Sequence, residues 1–214
     1  MRNRLTVMLF VLVALLMTCA CSDPAANKPK ATVGNAAPDS GPAKTGGEIL
    51  TISPDNSKVE FVAAKVTRSH SGSFKQFSGT VDLINNNVEQ SIVSINIETG
   101  SVVTDDDQLT AHLKTPDFFD VTKYPKAFFV STKIEPATTT QGATHTVTGN
   151  FDLHGVKKAI SFPATIQLAA DSVSVNAEFS INRKDFGIVY AGKADDLIRD
   201  GVVIKLTLKV PRKK

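Results

Sequence analysis

Apolar and polar side chains alternate along most of the chain from Ile49 onward. A period of two is typical of β-strands that bury one face and expose the other. The alternating segments are Val59–Lys65, Val93–Ile97, Phe128–Ile134, Val147–Leu153, Ile160–Ile166, Val173–Ile181 and Val202–Val210. Turn-forming sequences such as His154-Gly155 separate them. Seven or eight antiparallel strands in one domain indicate an all-β fold, either a sandwich or a closed barrel.

One segment departs from this alternation. Thr104 precedes three acids, Asp105–Asp107, and Leu109 and Leu113 follow one helical turn apart. Thr104 is a suitable helix cap and the acids suit a helix N-terminus, so the pattern predicts a short helix. A calcium loop is the alternative for the acids, but the alternating ligands and terminal Glu of an EF-hand are missing. The pair Phe118-Phe119 follows in a connection, where aromatic side chains usually plug the open end of a core.

The first twenty residues have the charge and order of a secretory signal peptide. Arg2 and Arg4 precede the apolar run Leu5–Met17, which is shorter than the roughly 20 residues of a membrane span. The sequence around Cys21 resembles a bacterial lipobox, so we expect Cys21 to be acylated and to become the first residue of the mature protein. Acylation of Cys19 and ordinary cleavage to a soluble periplasmic protein are the alternatives.

The expected location is the periplasmic face of the cell envelope, with the protein anchored as a lipoprotein in the outer membrane. The residue after Cys21 is Ser, whereas Asp there resembles an inner-membrane retention signal. The predicted organisation is a signal peptide over 1–20, a flexible tether over 21–48 and a β-domain over 49–212. The tether is predicted because Val33 is the only large apolar residue between 22 and 48, too few to offset the entropy of ordering.

Charge and residue types exclude several functions. Without residues 1–20 the chain carries 22 Lys and Arg against 21 Asp and Glu, a net charge near +1 that offers no electrostatic footprint for nucleic acid. Both cysteines lie before the domain, so it has no disulfide framework or thiolate metal site. The four histidines have no metal-pair spacing, and no nucleophile elbow or phosphate loop occurs. We therefore expect no metal, no cofactor and no catalytic residue.

Five sequence blocks, in order over residues 49–212, resemble the YceI-like family of lipid-binding barrel proteins. Each block is ordinary alone, but the ordered set covers the whole domain. The blocks are Ser57–Gly79, Val88–Thr104, His112–Thr132, Thr148–Lys158 and Ile181–Ile188. The first block departs from one common family form, because Lys65 and a Ser-rich loop stand where a His usually follows the opening strand. If this loop lines the mouth of the barrel, the departure affects which polar head group of a lipid the protein prefers.

The resemblance implies an antiparallel eight-stranded lipocalin-like barrel with one short helical segment near the barrel entrance. It also implies an elongated apolar lumen that holds a polyisoprenoid chain, such as a quinone precursor or a related long amphiphile. The first hypothesis is therefore binding of an isoprenoid or isoprenoid quinone-like lipid in the cell envelope, without enzymatic activity. The alternatives are an envelope enzyme acting on a lipid-like substrate, with His70 or His112 as acid/base, and a stress-related structural protein with a filled barrel.

Nine residues are candidates for lining the ligand channel, with plain core packing as the alternative for the apolar ones. Arg183 and Lys65 are candidates for the polar head group. Ordinary ion pairs with Asp185 or Glu60 are the alternative for these two, and the favoured one. The nine channel candidates are Phe74, Phe77, Phe118, Phe119, Phe128, Ala177, Phe179, Arg183 and Phe186.

Overall fold

The computed structural model describes residues 23–38, 46–138 and 142–212. The signal peptide and the acylation site predicted at Cys21 lie outside these residues. The described chain folds into fourteen strands and one α-helix, α1 (Asp107–Leu113), with three short 3-10 helices. The strands are β1 (Thr32–Asn35), β2 (Glu48–Ile52), β3 (Ser57–Ala64), β4 (Ser69–Phe74), β5 (Phe77–Leu83), β6 (Ile92–Glu98), β7 (Val102–Thr104), β8 (Lys126–Pro136), β9 (His145–Leu153), β10 (Val156–Leu168), β11 (Ser172–Asn182), β12 (Gly192–Lys193), β13 (Asp196–Leu197) and β14 (Gly201–Pro211).

The strand pairing closes on itself. Three runs of chain bend midway, so that β2 with β3, β4 with β5, and β6 with β7 each act as one long strand. These three runs and β8, β9, β10, β11 and β14 make eight antiparallel neighbours in chain order, and β14 then pairs with β3. The prediction of an antiparallel barrel is confirmed, and it is the bends that raise the number of separate strands above eight.

Several connections gather at one end of the barrel, called the mouth. It carries the β3–β4 hairpin, α1 and the segment after it, and the connection from β11 to β14, which includes the β12–β13 hairpin. α1 confirms the predicted helix, but its cap is Asp106 rather than Thr104. The Asp106 carboxylate accepts a hydrogen bond from the Leu109 N–H at 3.0 Å, whereas the Thr104 hydroxyl bonds to Thr110. Within the described residues, no helix has the length and apolar character needed to cross a membrane.

The face of β8 that points inward differs from the prediction. Alternation placed Phe128 inside with Ile134, but Phe128 is 44% exposed and its neighbour Phe129 is buried. A β-bulge between Ser131 and Lys133 inserts one extra residue and exchanges the two faces of the strand. Ile134 is therefore inward, as predicted, while Phe128 lies outside the barrel and its assignment to the ligand channel is wrong.

Part of the predicted tether is a strand of the barrel wall. β10 and β11 pair directly only over Thr165–Leu168, and above this they separate towards the mouth. β1 fills the gap, pairing antiparallel with β10, and a parallel bridge joins Lys30 to Ser180 on β11. Ala31 is only 3% exposed within the core. The structure differs from the prediction because backbone hydrogen bonds and small side chains suffice to order this segment, whereas the composition rule counts large apolar residues.

Candidate functional site

The interior of the barrel contains a cavity, here called the chamber. All eight wall strands and the segment after α1 line it, almost entirely with apolar side chains. An eight-stranded barrel is just wide enough to hold either its own side chains or one small ligand. Here small inward residues such as Ala127 alternate with large ones such as Ile97, and this mixture leaves space between them.

Aromatic rings form two contacting groups on the chamber wall. Phe162 and Phe179 stack with their centroids 4.1 Å apart, and Phe129 packs against Phe162 at 5.7 Å. In the second group Phe74 contacts Phe119 at 5.6 Å and Phe61 at 5.9 Å. Rings held by their neighbours give a preformed apolar surface, because little side-chain entropy remains to be lost when a ligand binds.

A second cavity, the vestibule, adjoins the chamber at the mouth. Five residues line both cavities and form the neck between them: Phe61, Ala63, Leu113, Phe118 and Ile198. The other residues of the vestibule include polar and charged side chains from the β3–β4 hairpin, α1 and the β12–β13 hairpin. The site thus combines an apolar chamber with a polar entrance.

Two histidines face the vestibule, each paired with a carboxylate. His70 is buried, and its Nδ1 lies 2.8 Å from Asp105 Oδ1. Burial acts to raise the pKa of Asp105, but the hydrogen bonds from His70 and the backbone N–H at position 71 outweigh it, so this pKa lies below its usual value. His112 Nε2 lies 2.8 Å from Asp117 Oδ2, and its ring packs edge-on against Tyr190 at 5.2 Å.

A lysine ion pair completes the polar part of the vestibule. Lys65 Nζ lies 2.7 Å from Asp196 Oδ2. The pKa of the Asp196 carboxyl is lowered by the hydrogen bond from Lys65, which outweighs the opposing effect of burial. Across residues 23–38, 46–138 and 142–212, no three His, Cys, Asp or Glu side chains come together in a group that would hold a metal ion.

Arg183 is the one basic side chain on the chamber wall, and it is only 4% exposed. Its Nη1 donates to the Ile188 carbonyl at 2.7 Å, its Nε to the Arg199 carbonyl at 3.2 Å, and its Nη2 to the Ile198 carbonyl at 3.3 Å. Nη2 also lies 3.4 Å from Asp200 Oδ1. Burial lowers the pKa of the Arg183 guanidinium and Asp200 opposes the shift, but Arg remains charged. The side chain therefore holds the connection over the mouth in place.

The structure brings together five of the nine predicted channel residues. Phe77, Ala177 and Phe186 are buried in the core but do not line the chamber, and Phe128 lies outside the barrel. The five that line the chamber are Phe74, Phe118, Phe119, Phe179 and Arg183. For these five, ligand contact itself stays a prediction.

Sequence reasoning chose the wrong partners for the two basic residues and missed part of the wall. Lys65 and Arg183 are both in ion pairs, as favoured, but with Asp196 and Asp200 rather than Glu60 and Asp185. The missed aromatic residues of the wall are Phe61, Phe129, Phe151 and Phe162. All except Phe129 stood on the alternating faces that the sequence assigned to strands, so strand parity was the signal that pointed to them.

Known proteins resemble this chain in sequence. A UPF0312 protein of Pseudomonas putida (strain W619) is 35% identical over 123 residues, which are 55% of this chain and 62% of that protein. A UPF0312 protein of Pseudomonas fluorescens (strain SBW25) is 30% identical over 133 residues, 59% of this chain and 68% of that protein. The match therefore spans about three fifths to two thirds of these relatives' length.

Solved structures share the fold. BcnA of Burkholderia cenocepacia is 26% identical with a TM-score of 0.64, covering 74% of this chain and 98% of BcnA. A polyisoprenoid binding domain from Saccharophagus degradans has a TM-score of 0.61, covering 78% of this chain and 100% of that domain; at 18% identity it shows the fold alone. The family model of the YceI-like domain matches residues 50–210, which is nearly the whole barrel. This protein therefore belongs to the YceI-like domain family.

Proposed function

We propose that this protein binds one long apolar lipid of the isoprenoid class, with the tail in the chamber and a polar end, such as a quinone-like ring, in the vestibule. The observation that carries the proposal is the chamber itself, an interior cavity of the barrel lined almost entirely by apolar side chains. Ligand pockets are lined mainly by hydrophobic and aromatic side chains, as this chamber is. A polyisoprenoid-binding domain with the same fold supports the choice of ligand class.

The expected affinity follows from the burial of the tail. Each buried methylene group contributes about 0.8 kcal/mol. A tail of about forty carbons would exceed the ceiling of roughly −18 to −21 kcal/mol observed for non-covalent binding. Ordering of the tail and incomplete burial reduce this sum, so the expected behaviour is tight, slowly reversible retention rather than extreme affinity.

The test is native mass spectrometry of the purified protein, followed by organic extraction and mass analysis of the extract. We expect a defined adduct whose extracted mass corresponds to a long-chain lipid. A protein that carries no lipid, and takes up none when incubated with polyisoprenoid alcohols or quinones in detergent, would contradict the proposal. A filled structural barrel is the less supported hypothesis, because the chamber is open space.

A second candidate function, an enzyme acting on a lipid-like substrate, has one observation in its favour. His70 and His112 both line the vestibule and each is paired with a carboxylate, an arrangement in which a neighbouring group orients a proton-transferring imidazole. Incubating the protein with the extracted lipid distinguishes lipid binding from enzymatic activity. Chemical conversion of that lipid by the protein, lost in His70→Ala or His112→Ala, would favour the enzyme.

The proposed site of action is the periplasmic face of the cell envelope, with Cys21 as the acyl anchor to the outer membrane. We expect metabolic labelling with a radioactive fatty acid to mark the wild-type protein and Cys19→Ser, and to be lost in Cys21→Ser. The reason is that a small residue, Ala20, precedes Cys21, as a lipobox requires. Labelling that persists in Cys21→Ser would contradict the assignment.

A further inference from the structure

Three large apolar side chains are exposed at the mouth and are together called the rim here. Val66 is 51% exposed, Val189 63% and Leu197 49%. The Val66 N–H donates to the Leu197 carbonyl at 3.1 Å, so the β3–β4 and β12–β13 hairpins are joined where they carry these side chains. Exposed apolar residues that cluster, rather than occur singly, usually mark an interaction site.

The rim is continuous with the walls of the two cavities. Lys65, Tyr190 and Ile198 line the vestibule and directly adjoin Val66, Val189 and Leu197 in the chain. Whatever covers the rim therefore also faces the cavity entrance. Exposed charges beside the rim have both signs, with Arg68 and Lys193 against Asp195, so the surface selects for an apolar partner rather than for a strongly charged one.

The N-terminal segment reaches the barrel at this same end. Asp23 Oδ2 lies 3.6 Å from Arg199 Nη1, and Ala25 packs against Gly201 at the start of β14. Lys28 then forms an ion pair with Glu178 at 3.0 Å, before the chain enters the wall as β1. The first described residue is thus fixed to the mouth and not to the far end of the barrel.

This placement limits where an acyl anchor can be. Cys21 precedes Asp23 by two residues, and two residues span at most about 7 Å. Acyl chains on Cys21 would enter the bilayer beside the mouth, whereas a free tether of 27 residues would allow every orientation.

We propose that the rim is a membrane-docking surface, and that the N-terminal segment paired into the barrel wall holds the mouth against the lipid bilayer. The inference rests on the proposed function, because a docked mouth matters for a ligand that partitions into membranes. With the mouth against the bilayer, an apolar tail passes between membrane and chamber without crossing water. Docking through Val66, Val189 and Leu197 is apolar, so it persists in high salt, which screens surface charge.

The orientation is tested with single cysteine probes in the acylated full-length protein. The only native cysteines are Cys19 and Cys21, both in the N-terminal region, so an added cysteine is the one free thiol of an acylated mature chain. A polarity-sensitive fluorophore is placed at Val66→Cys or Leu197→Cys on the rim. The matched controls are Val130→Cys, an exposed apolar residue on the outer wall, and Ala170→Cys in the β10–β11 hairpin at the far end.

With delipidated protein on vesicles of phosphatidylethanolamine and phosphatidylglycerol, we expect the rim probes to shift to the emission of an apolar environment and to be quenched by spin-labelled lipid. We expect the two control probes to keep the emission of water, and all four results to be the same in high salt. Equal behaviour of the rim and control probes would overturn the proposal. So would loss of the rim signal in high salt.

Transfer of lipid provides the second measurement. We expect Val66→Asp combined with Leu197→Asp to slow uptake of a pyrene-labelled polyprenol from vesicles by about tenfold or more, because two apolar contacts with the bilayer are lost. Val130→Asp should leave uptake unchanged. An equal rate in the rim variant would overturn the docking surface. Uptake of the polyprenol from detergent, where no bilayer is present, tests lipid binding separately from docking. If the rim probes enter the bilayer but the protein takes up no polyprenol from detergent, the lipid-binding function alone is contradicted. If the protein takes up polyprenol from detergent but the rim probes stay in water, the docking inference alone is contradicted.

Discussion

Ala127→Phe is expected to remove the ligand from the protein while leaving the fold intact. Ala127 is a small inward residue of β8 on the chamber wall, so a phenyl ring there enters space assigned to the lipid tail. Displacing about four methylene groups would weaken binding by roughly 3 kcal/mol, or about a hundredfold. The measurement is the lipid content after organic extraction, together with the melting temperature of the delipidated protein, which should stay close to that of delipidated wild type.

The matched control is Ala177→Phe. Ala177 is equally small and also buried, but it packs in the core outside the chamber. Overpacking a filled core typically costs about 1–3 kcal/mol, which lowers the melting temperature of a domain of this size by about 2–12 °C. We therefore expect this variant to keep its lipid and lose stability. The reverse pattern, with lipid lost from Ala177→Phe and kept by Ala127→Phe, would show that the tail lies elsewhere.

Arg183→Met is expected to produce the largest loss of stability of any single substitution at the site. The variant leaves three backbone carbonyls without their donor, one in a buried and two in partly buried hydrogen bonds, and it leaves Asp200 without its buried ion-pair partner. Unsatisfied buried acceptors cost about 1–3 kcal/mol each, and water entering from the vestibule offsets part of this, so we expect a total of roughly 3 kcal/mol. Thermal melting should fall by about 6–12 °C.

Lys184→Met is the control for this substitution. Lys184 pairs with the same carboxylate, Asp200, at 3.0 Å, but it is exposed, so its pair contributes little. We expect its melting temperature to stay within about 2 °C of the wild type, since surface changes are usually within about 0.5 kcal/mol. Similar losses in both variants would show that the Arg183 carbonyl network does not stabilise the connection over the mouth.

The barrel was predictable because the alternation of apolar and polar residues indicates, for each strand, which side chains face inward. Val175, Ala177 and Phe179 were placed inside by their alternation, and all three are buried. Parity alone could not show how deep each residue lies along the barrel axis, and this is why Ala177 reaches the core but not the chamber. The position of a residue along the barrel axis depends on how far neighbouring strands are offset from one another. This offset is set by strand pairing and is not encoded in the sequence of one strand.

The errors have local physical causes. One inserted residue near Thr132 exchanges the inward and outward faces of β8. No residue type in this strand predicts a β-bulge. The ion-pair partners of Lys65 and Arg183 come from the long connection between β11 and β14, whose path over the mouth has no periodicity. The segment before Ile49 lacked large apolar residues, so it gave no sign that its backbone completes the wall.

The pairing of β1 also sets an order on folding. β1 lies against β10 and is bridged to Ser180 on β11, so the earliest described strand of the chain has no partners until a late one has been synthesised. Until β1 has paired with them, the edges of β10 and β11 near the mouth have unpaired backbone groups, which is the condition under which strands of different molecules join. Pairings between distant parts of a chain also form slowly. For a newly made molecule, closure of this seam is therefore a step at which folding competes with aggregation.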